Sequence, residues 1–208
     1  LDGLTAEARA VGAVNTVVRE ADRLTGHTTD GAGLLADLAE ALTFRPRGAR
    51  IVIVGAGGAA RAAAFALAVA GARRVVLLNR SDARARSLAA DVARAAPAVE
   101  AVAYQLHQFP ADRILGSADL VINATSVGLH AGDPSPLDLG PCRPTTVAYD
   151  LVYNPPETAF LREARARGLR AANGLGMLVH QGAAAFALWT GRPAPIDVMR
   201  RAVDAETP

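Results

Sequence analysis

The feature that most constrains this chain is a corner of glycines set between two apolar runs. Ile51-Val52-Ile53-Val54 is uncharged and β-branched, and Gly55-Ala56-Gly57-Gly58-Ala59-Ala60 follows at once. An alanine-rich stretch then continues to Ala72 with Arg61 as its sole charge. The run from Ile51 to Ala72 is long enough to cross a bilayer as a helix. Its central glycines and β-branched start argue instead for a strand, a tight turn and a helix. In that setting the string fits G-x-G-x-x-A. Gly55 permits the turn, Gly57 lets the backbone approach a pyrophosphate, and Ala60 lets helix and strand pack closely. Gly58 and Ala59 open the helix, whose free N–H groups and positive dipole end favour phosphate. A dinucleotide site is expected; the alternative is a βα turn that needs small residues for packing alone.

The same alternation continues along the chain. Strands are expected at Arg50 to Val54, Arg74 to Asn79, Val99 to Ala103, Asp119 to Asn123, Thr146 to Leu151 and Leu169 to Ala172. Helices are expected at about Ala59 to Ala70, Asp82 to Ala95 and Pro156 to Arg167. Strands alternating with helices imply an α/β fold, a Rossmann-like doubly wound parallel sheet with right-handed crossovers. Continuous apolar strands fit a sheet covered on both faces.

Two regions fall outside the pattern. Leu1 to Thr29 reads as a short helix followed by Ala13 to Val18 and Arg23 to Gly26, a plausible hairpin, and Leu34 to Leu42 as a linking helix. Leu175 to Thr190 reads as a long helix, broken by Gly191-Arg192-Pro193 before another at Ile196 to Val203. A piece of about 30 residues cannot support its own core. Residues 1–29 and 175–208 are therefore expected to form the remnant of a discontinuous α/β second domain, beside a dinucleotide-binding domain at 30–174.

Charge narrows the function. Lys plus Arg number 22 against 20 acidic residues, a net +2, which argues against a nucleic-acid surface driven by bulk charge. All the basic side chains are arginine, so none of these residues offers a side-chain amine as a base. The single cysteine, Cys142, excludes an internal disulfide, and His27, His107, His130 and His180 lack metal-site spacing. No signal peptide or membrane span is expected, and the chain reads as cytoplasmic, with residue 1 (Leu, not Met) other than the natural start. Oligomeric state has no signal in the sequence.

The end of the second Rossmann strand bears on cofactor choice. Asn79-Arg80 stands where an NAD enzyme usually places an acidic residue for the ribose hydroxyls. Arg80 could pair with a 2′-phosphate, and Arg84, one helical turn on, could join it. NADP is favoured. Asp82 keeps NAD open, because it could reach ribose hydroxyls, although Ser81-Asp82 also makes a good helix N-cap pair.

Seven strings in order resemble the shikimate dehydrogenases and their quinate/shikimate relatives. They are Gly12-Ala13-Val14-Asn15-Thr16, Gly26-His27-Thr28-Thr29-Asp30-Gly31, Gly55 to Ala60, Asn79-Arg80-Ser81, Asn123-Ala124-Thr125-Ser126-Val127-Gly128, Tyr149-Asp150-Leu151-Val152-Tyr153 and Gly174 to Gln181. The resemblance implies reversible, NADPH-linked reduction of 3-dehydroshikimate to shikimate in aromatic biosynthesis. It implies that Asn15 and Asp30 hydrogen-bond substrate hydroxyls, with Asp30 half of a Lys–Asp catalytic pair. Tyr153 and Gln181 would contact the substrate from across the cleft, Leu151 and Gly174 would line the nicotinamide, and Asn123, Thr125 and Ser126 would belong to the loop beside it. Hydride transfer to a ketone builds alkoxide charge that needs a proton donor, and a polyhydroxylated substrate needs several short polar side chains.

Each of these residues also has a plainer explanation. Asp30-Gly31 could be a helix N-cap, Asn15 a satisfied strand-end amide, Tyr153 turn packing and Gln181 a helix surface position; His180 reads as structural. The family's serine-containing segment and catalytic lysine should precede Leu1, and Thr28 stands where the family usually has Asn. As written, the chain is expected to bind NADP and turn over slowly. Two other functions remain open: an NAD-using quinate/shikimate dehydrogenase, and a non-catalytic nucleotide-binding module.

Overall fold

The computed structural model describes residues 1–206. The chain opens with β1 (Gly3–Leu4), α1 (Ala6–Val11), β2 (Thr16–Glu20) and β3 (Arg23–His27). The expected hairpin forms, with β2 antiparallel to β3. Sequence reasoning missed β1, which adds parallel to the other side of β3. A two-residue strand is too short to carry a period.

α2 (Asp30–Leu42) follows, then β4 (Arg50–Val54), α3 (Gly58–Val69), β5 (Arg74–Asn79), α4 (Asp82–Ala95) and β6 (Glu100–Gln105). The second half holds α5 (Ala111–Leu115), β7 (Leu120–Asn123), β8 (Val147–Asp150), α6 (Ala159–Ala166), β9 (Arg170–Asn173), α7 (Leu175–Thr190) and α8 (Ile196–Glu206). The expected strands all form, in a six-stranded sheet ordered β6-β5-β4-β7-β8-β9. Every pairing in it is parallel. The strand order reverses between β4 and β7, and ligands of such sheets bind at the carboxyl ends of the strands beside that switch. No helix among the described residues is long and apolar enough to cross a membrane.

Alternating side chains divide the core in two. Ile51, Ile53, Val75, Leu77, Leu120 and Ile122 pack with Val11, Leu34, Leu38 and the alanines of α3 on one face. Val52, Val54, Val76, Leu78 and Val121 pack with Ile114, Leu115, Phe160 and Leu161 on the other.

α5 was not expected, and two expected helices start elsewhere. The linking helix starts at Asp30 rather than Leu34. Glycines at 31 and 33 disfavour a helix by propensity, yet packing requires them. A Cβ at Gly31 would come within 2.8 Å of the Ala66 Cβ on α3, and one at Gly33 within 2.8 Å of the Gln181 Cβ on α7. α6 starts at Ala159 rather than Pro156, because Thr158 supplies the N-cap by accepting from Leu161 N–H.

Candidate active site

A cavity of about 420 Å³ opens at the switch between β4 and β7. Gly55, Ala56 and Gly57 form its floor, Asn79, Arg80 and Arg84 stand to one side, and Ala124, Thr125, Ser126 and Val127 to the other. Gly55 has φ +122, and a Cβ there would overlap the Ala124 carbonyl, so only glycine turns this corner. Cβ atoms at Gly57 and Gly58 would meet nothing within 4 Å, which leaves the backbone open to a ligand. Gly58 and Ala59 lie exposed on the first turn of α3. Ser81 caps α4, its Oγ accepting from Arg84 N–H, and the Asn79 amide donates to the Ser81 carbonyl at 3.0 Å. Asp82 points along its own helix to Arg86, with Nε–Oδ2 at 2.6 Å. The cavity wall also includes His107, Pro134, Ser135 and Pro136, which sequence reasoning missed. They come from loops after β6 and β7 that carry no periodic signal.

Asn123 takes a different place from the one the resemblance implies. It is fully buried, and its amide donates to Asp150 Oδ1 at 2.9 Å and to the Val127 carbonyl at 3.0 Å. Its carbonyl accepts from Thr125 N–H and Oγ at 3.1 and 2.7 Å. With both polar ends engaged, it shapes the Thr125–Ser126 loop from behind. Asp150, which sequence reasoning passed over, also accepts from Val152 N–H at 3.0 Å and from Thr158 Oγ at 2.6 Å. One carboxylate thus ties together the loops after β7 and β8. Burial pushes it up to about 6. Leu151 and Gly174 do meet: a Cβ on Gly174 would overlap the Leu151 carbonyl.

A second constellation gathers at the start of α2. The Asn15 amide, just before β2, donates to Asp30 Oδ1 at 2.6 Å, to Thr29 Oγ at 2.9 Å and to Gln181 Oε1 on α7 at 3.3 Å. Its carbonyl accepts from Thr29 N–H and Thr16 Oγ, both at 3.0 Å. Thr29 is the fourth member, its hydroxyl also donating to Gln181 Oε1 at 3.4 Å. Asp30 is the first residue of α2 and Thr29 its N-cap, which corrects the simple capping role for Asp30. Burial raises the Asp30 carboxyl, and the Asn15 hydrogen bond pulls it back only in part. Tyr153 sits 39% exposed beyond β8 and shares no hydrogen bond with this group among the described residues. α7 joins the two constellations, since Gln181 lies about 9 Å along its axis from Leu175 at ~1.5 Å per residue. His180 turns away to Glu40, 2.7 Å distant, in keeping with a structural role.

Asn15, Asp30 and Gln181 converge from three separate parts of the chain, and no group of acidic, histidine or cysteine residues able to hold a metal occurs among the described residues. The group offers short polar side chains suited to a hydroxylated molecule, and the glycine corner an open backbone suited to phosphate.

Residues 37–130 match the family described as shikimate / quinate 5-dehydrogenase, and residues 174–203 match the shikimate 5′-dehydrogenase C-terminal domain. The NADP(+)-dependent shikimate dehydrogenase of Moorella thermoacetica is 51% identical over 203 residues, covering 97% of this chain and 68% of that protein. Among solved structures, the shikimate 5-dehydrogenase of Thermus thermophilus in complex with NADP(H) and shikimate has a TM-score of 0.84 at 40% identity, covering 99% of this chain and 72% of that one. The ligand-free 5-ketofructose reductase of a Gluconobacter strain has a TM-score of 0.87 at 38% identity, covering 99% and 73%.

Proposed function

The chain belongs to the shikimate dehydrogenase family, and from that membership we propose that it interconverts shikimate and 3-dehydroshikimate with NADP. The observation that carries the substrate assignment is the hydrogen-bonded convergence of Asn15, Asp30 and Gln181.

The residues at the glycine corner fit the cofactor. Its pyrophosphate would rest on Gly55 to Ala59, of which Gly55, Ala56 and Gly57 line the cavity and Gly57 and Gly58 leave the backbone open. Arg80 and Arg84 would take the 2′-phosphate, and Thr125, Ser126, Leu151 and Gly174 would border the nicotinamide end, with Asn79, Ser81 and Asn123 holding the loops. NADP, when bound, accepts or supplies the hydride. The NAD alternative rested on Asp82, and the pairing of that residue with Arg86 weighs against it.

On the substrate side, Asn15 and Gln181 orient hydroxyls, with Tyr153 closing the cleft from beyond β8. Asp30 accepts a hydrogen bond from the reacting hydroxyl, and the burial that raises its carboxyl makes it a better base than an exposed aspartate. No lysine occurs among these 208 residues, so within them Asp30 stands alone of the pair the family implies. We expect their turnover to fall roughly 10²–10⁴-fold below that of a relative with both partners. Residues 1–29 and 175–208 would serve the substrate and 30–174 the dinucleotide, in a cytoplasmic protein acting on a small dissolved molecule.

Titration calorimetry tests this function. NADP⁺ should bind at least roughly tenfold tighter than NAD⁺, and Arg80→Ala should bring the two toward parity. Equal affinities in the unsubstituted chain would remove the NADP assignment. Failure to bind shikimate with NADP⁺ present would remove the substrate assignment.

A further inference from the structure

Arg61 is the sole charge in the apolar run from Ile51 to Ala72, and its placement is specific. Its backbone N–H donates to the Gly57 carbonyl at 2.9 Å and so closes the first turn of α3 on the glycine corner. Its side chain reaches the other way. Nε donates to the Val11 carbonyl at the end of α1 at 2.6 Å, and Nη1 pairs with Asp91 of α4 at 3.0 Å. The guanidinium also lies 5.6 Å from the centre of the Phe65 ring. Asp91 is held in turn by Arg94 at 3.1 Å, and the hydrogen bonds from Arg61 and Arg94 bring its carboxyl below the usual range despite partial burial.

The Val11 carbonyl is one of the last in α1 and has no partner farther along the helix. Gly12, with φ +72, ends that helix, and the chain then runs through Ala13 and Val14 to Asn15. One arginine therefore spans from the turn that would cradle the cofactor to the segment that delivers Asn15. Its three-quarters-buried side chain is fixed by a carboxylate from a third element.

Building on the function proposed above, we infer that Arg61 is a positioning residue for substrate recognition, one that sets the Asn15–Asp30–Gln181 group relative to the glycine corner. Asp91 belongs to the same device, because it orients the guanidinium toward Val11. A planar guanidinium meets both acceptors at once, whereas an ammonium forms a weaker version of the bridge.

The test uses the 208-residue chain with Arg61→Met, which keeps an apolar stem against Phe65, and Arg61→Lys, which keeps the charge. Shikimate affinity in the presence of NADP⁺ should fall roughly tenfold in Arg61→Met and recover in part in Arg61→Lys, with NADP⁺ affinity within about twofold throughout. A merely structural arginine would weaken both ligands together, and that result would overturn the inference. Unchanged shikimate affinity in a folded Arg61→Met variant would overturn it too.

Amide hydrogen exchange reads the same device without any ligand. Residues 8–16 should exchange about tenfold faster in Arg61→Met, and in milder degree in Arg61→Lys, while protection at the centre of β4 and α3 stays put. Uniform loss of protection, or none, would refute the positioning role. If the unsubstituted chain binds NADP⁺ and not shikimate, the proposed function fails, and the exchange experiment still decides the role of Arg61.

Discussion

Asp150 is a fully buried carboxylate that answers to three donors, one from each of Asn123, Val152 and Thr158. Burial lifts it from 3.8 to about 6, so the folded chain holds this proton more tightly than the unfolded chain does. The linked stability is present below the unfolded value and is lost as pH rises through about 6. Asp150→Asn can keep the three contacts by turning the Thr158 hydroxyl, and it has no proton to lose. Its melting temperature relative to the parent should therefore improve as pH rises from about 4 to about 6, between the unfolded and folded values; a difference flat with pH would exclude burial as the cause. Asp150→Ala strands all three donors and should cost roughly 2–4 kcal/mol in urea denaturation. At the other constellation, the Asn15 hydrogen bond is what restrains the Asp30 carboxyl from rising further. Asn15→Ala should move the acid limb of shikimate binding to higher pH and weaken binding about tenfold. An acid limb that does not move would separate the two residues.

At the scale of elements, α2 and α7 carry the site because small residues let them approach. Gly33 faces Gln181 so closely that an added Cβ would lie 2.8 Å from both its Cβ and its backbone nitrogen. Alanine for glycine inside a helix ordinarily stabilises by about 1 kcal/mol. Here Gly33→Ala should instead destabilise by roughly 1–3 kcal/mol, with loss of shikimate affinity, since neither obstructing atom can rotate away. Thermal melting and calorimetry on the one variant check both, and a stabilised Gly33→Ala would refute the close packing. This contact also explains a limit of the sequence. The periodic apolar residues of α2 begin at Leu34 and are readable, while Asp30 to Gly33 look like a loop until α3 and α7 are in place. The strands were legible for the opposite reason, since Ile51 to Val54 and Leu120 to Ile122 are apolar on both faces and fit only a covered parallel sheet.

For the whole molecule, the decisive feature is that one apolar cluster joins Val11 of α1 and Leu34 and Leu38 of α2 to Ile51, Leu67, Leu120 and Tyr149. Val11 of the first 29 residues is thus cored together with the sheet. The chain should melt in a single calorimetric transition, and NADP⁺ at 100 times its Kd should raise the whole transition by about 2.7 kcal/mol of added stability. Two resolved transitions, with only one moved by NADP⁺, would show independent units instead.

The sequence alone determined the parallel sheet and the glycine corner, because period and turn chemistry are properties of neighbouring residues, while Asn15, Asp30 and Gln181 were singled out by the resemblance of their local strings to a family. Only the tertiary structure decided that Thr29 completes that group, that Asn123 faces inward to Asp150, and that Arg61 reaches Val11. Those outcomes depend on which groups meet across 14, 27 or 50 positions of chain. Packing sets such meetings, and no local pattern encodes them.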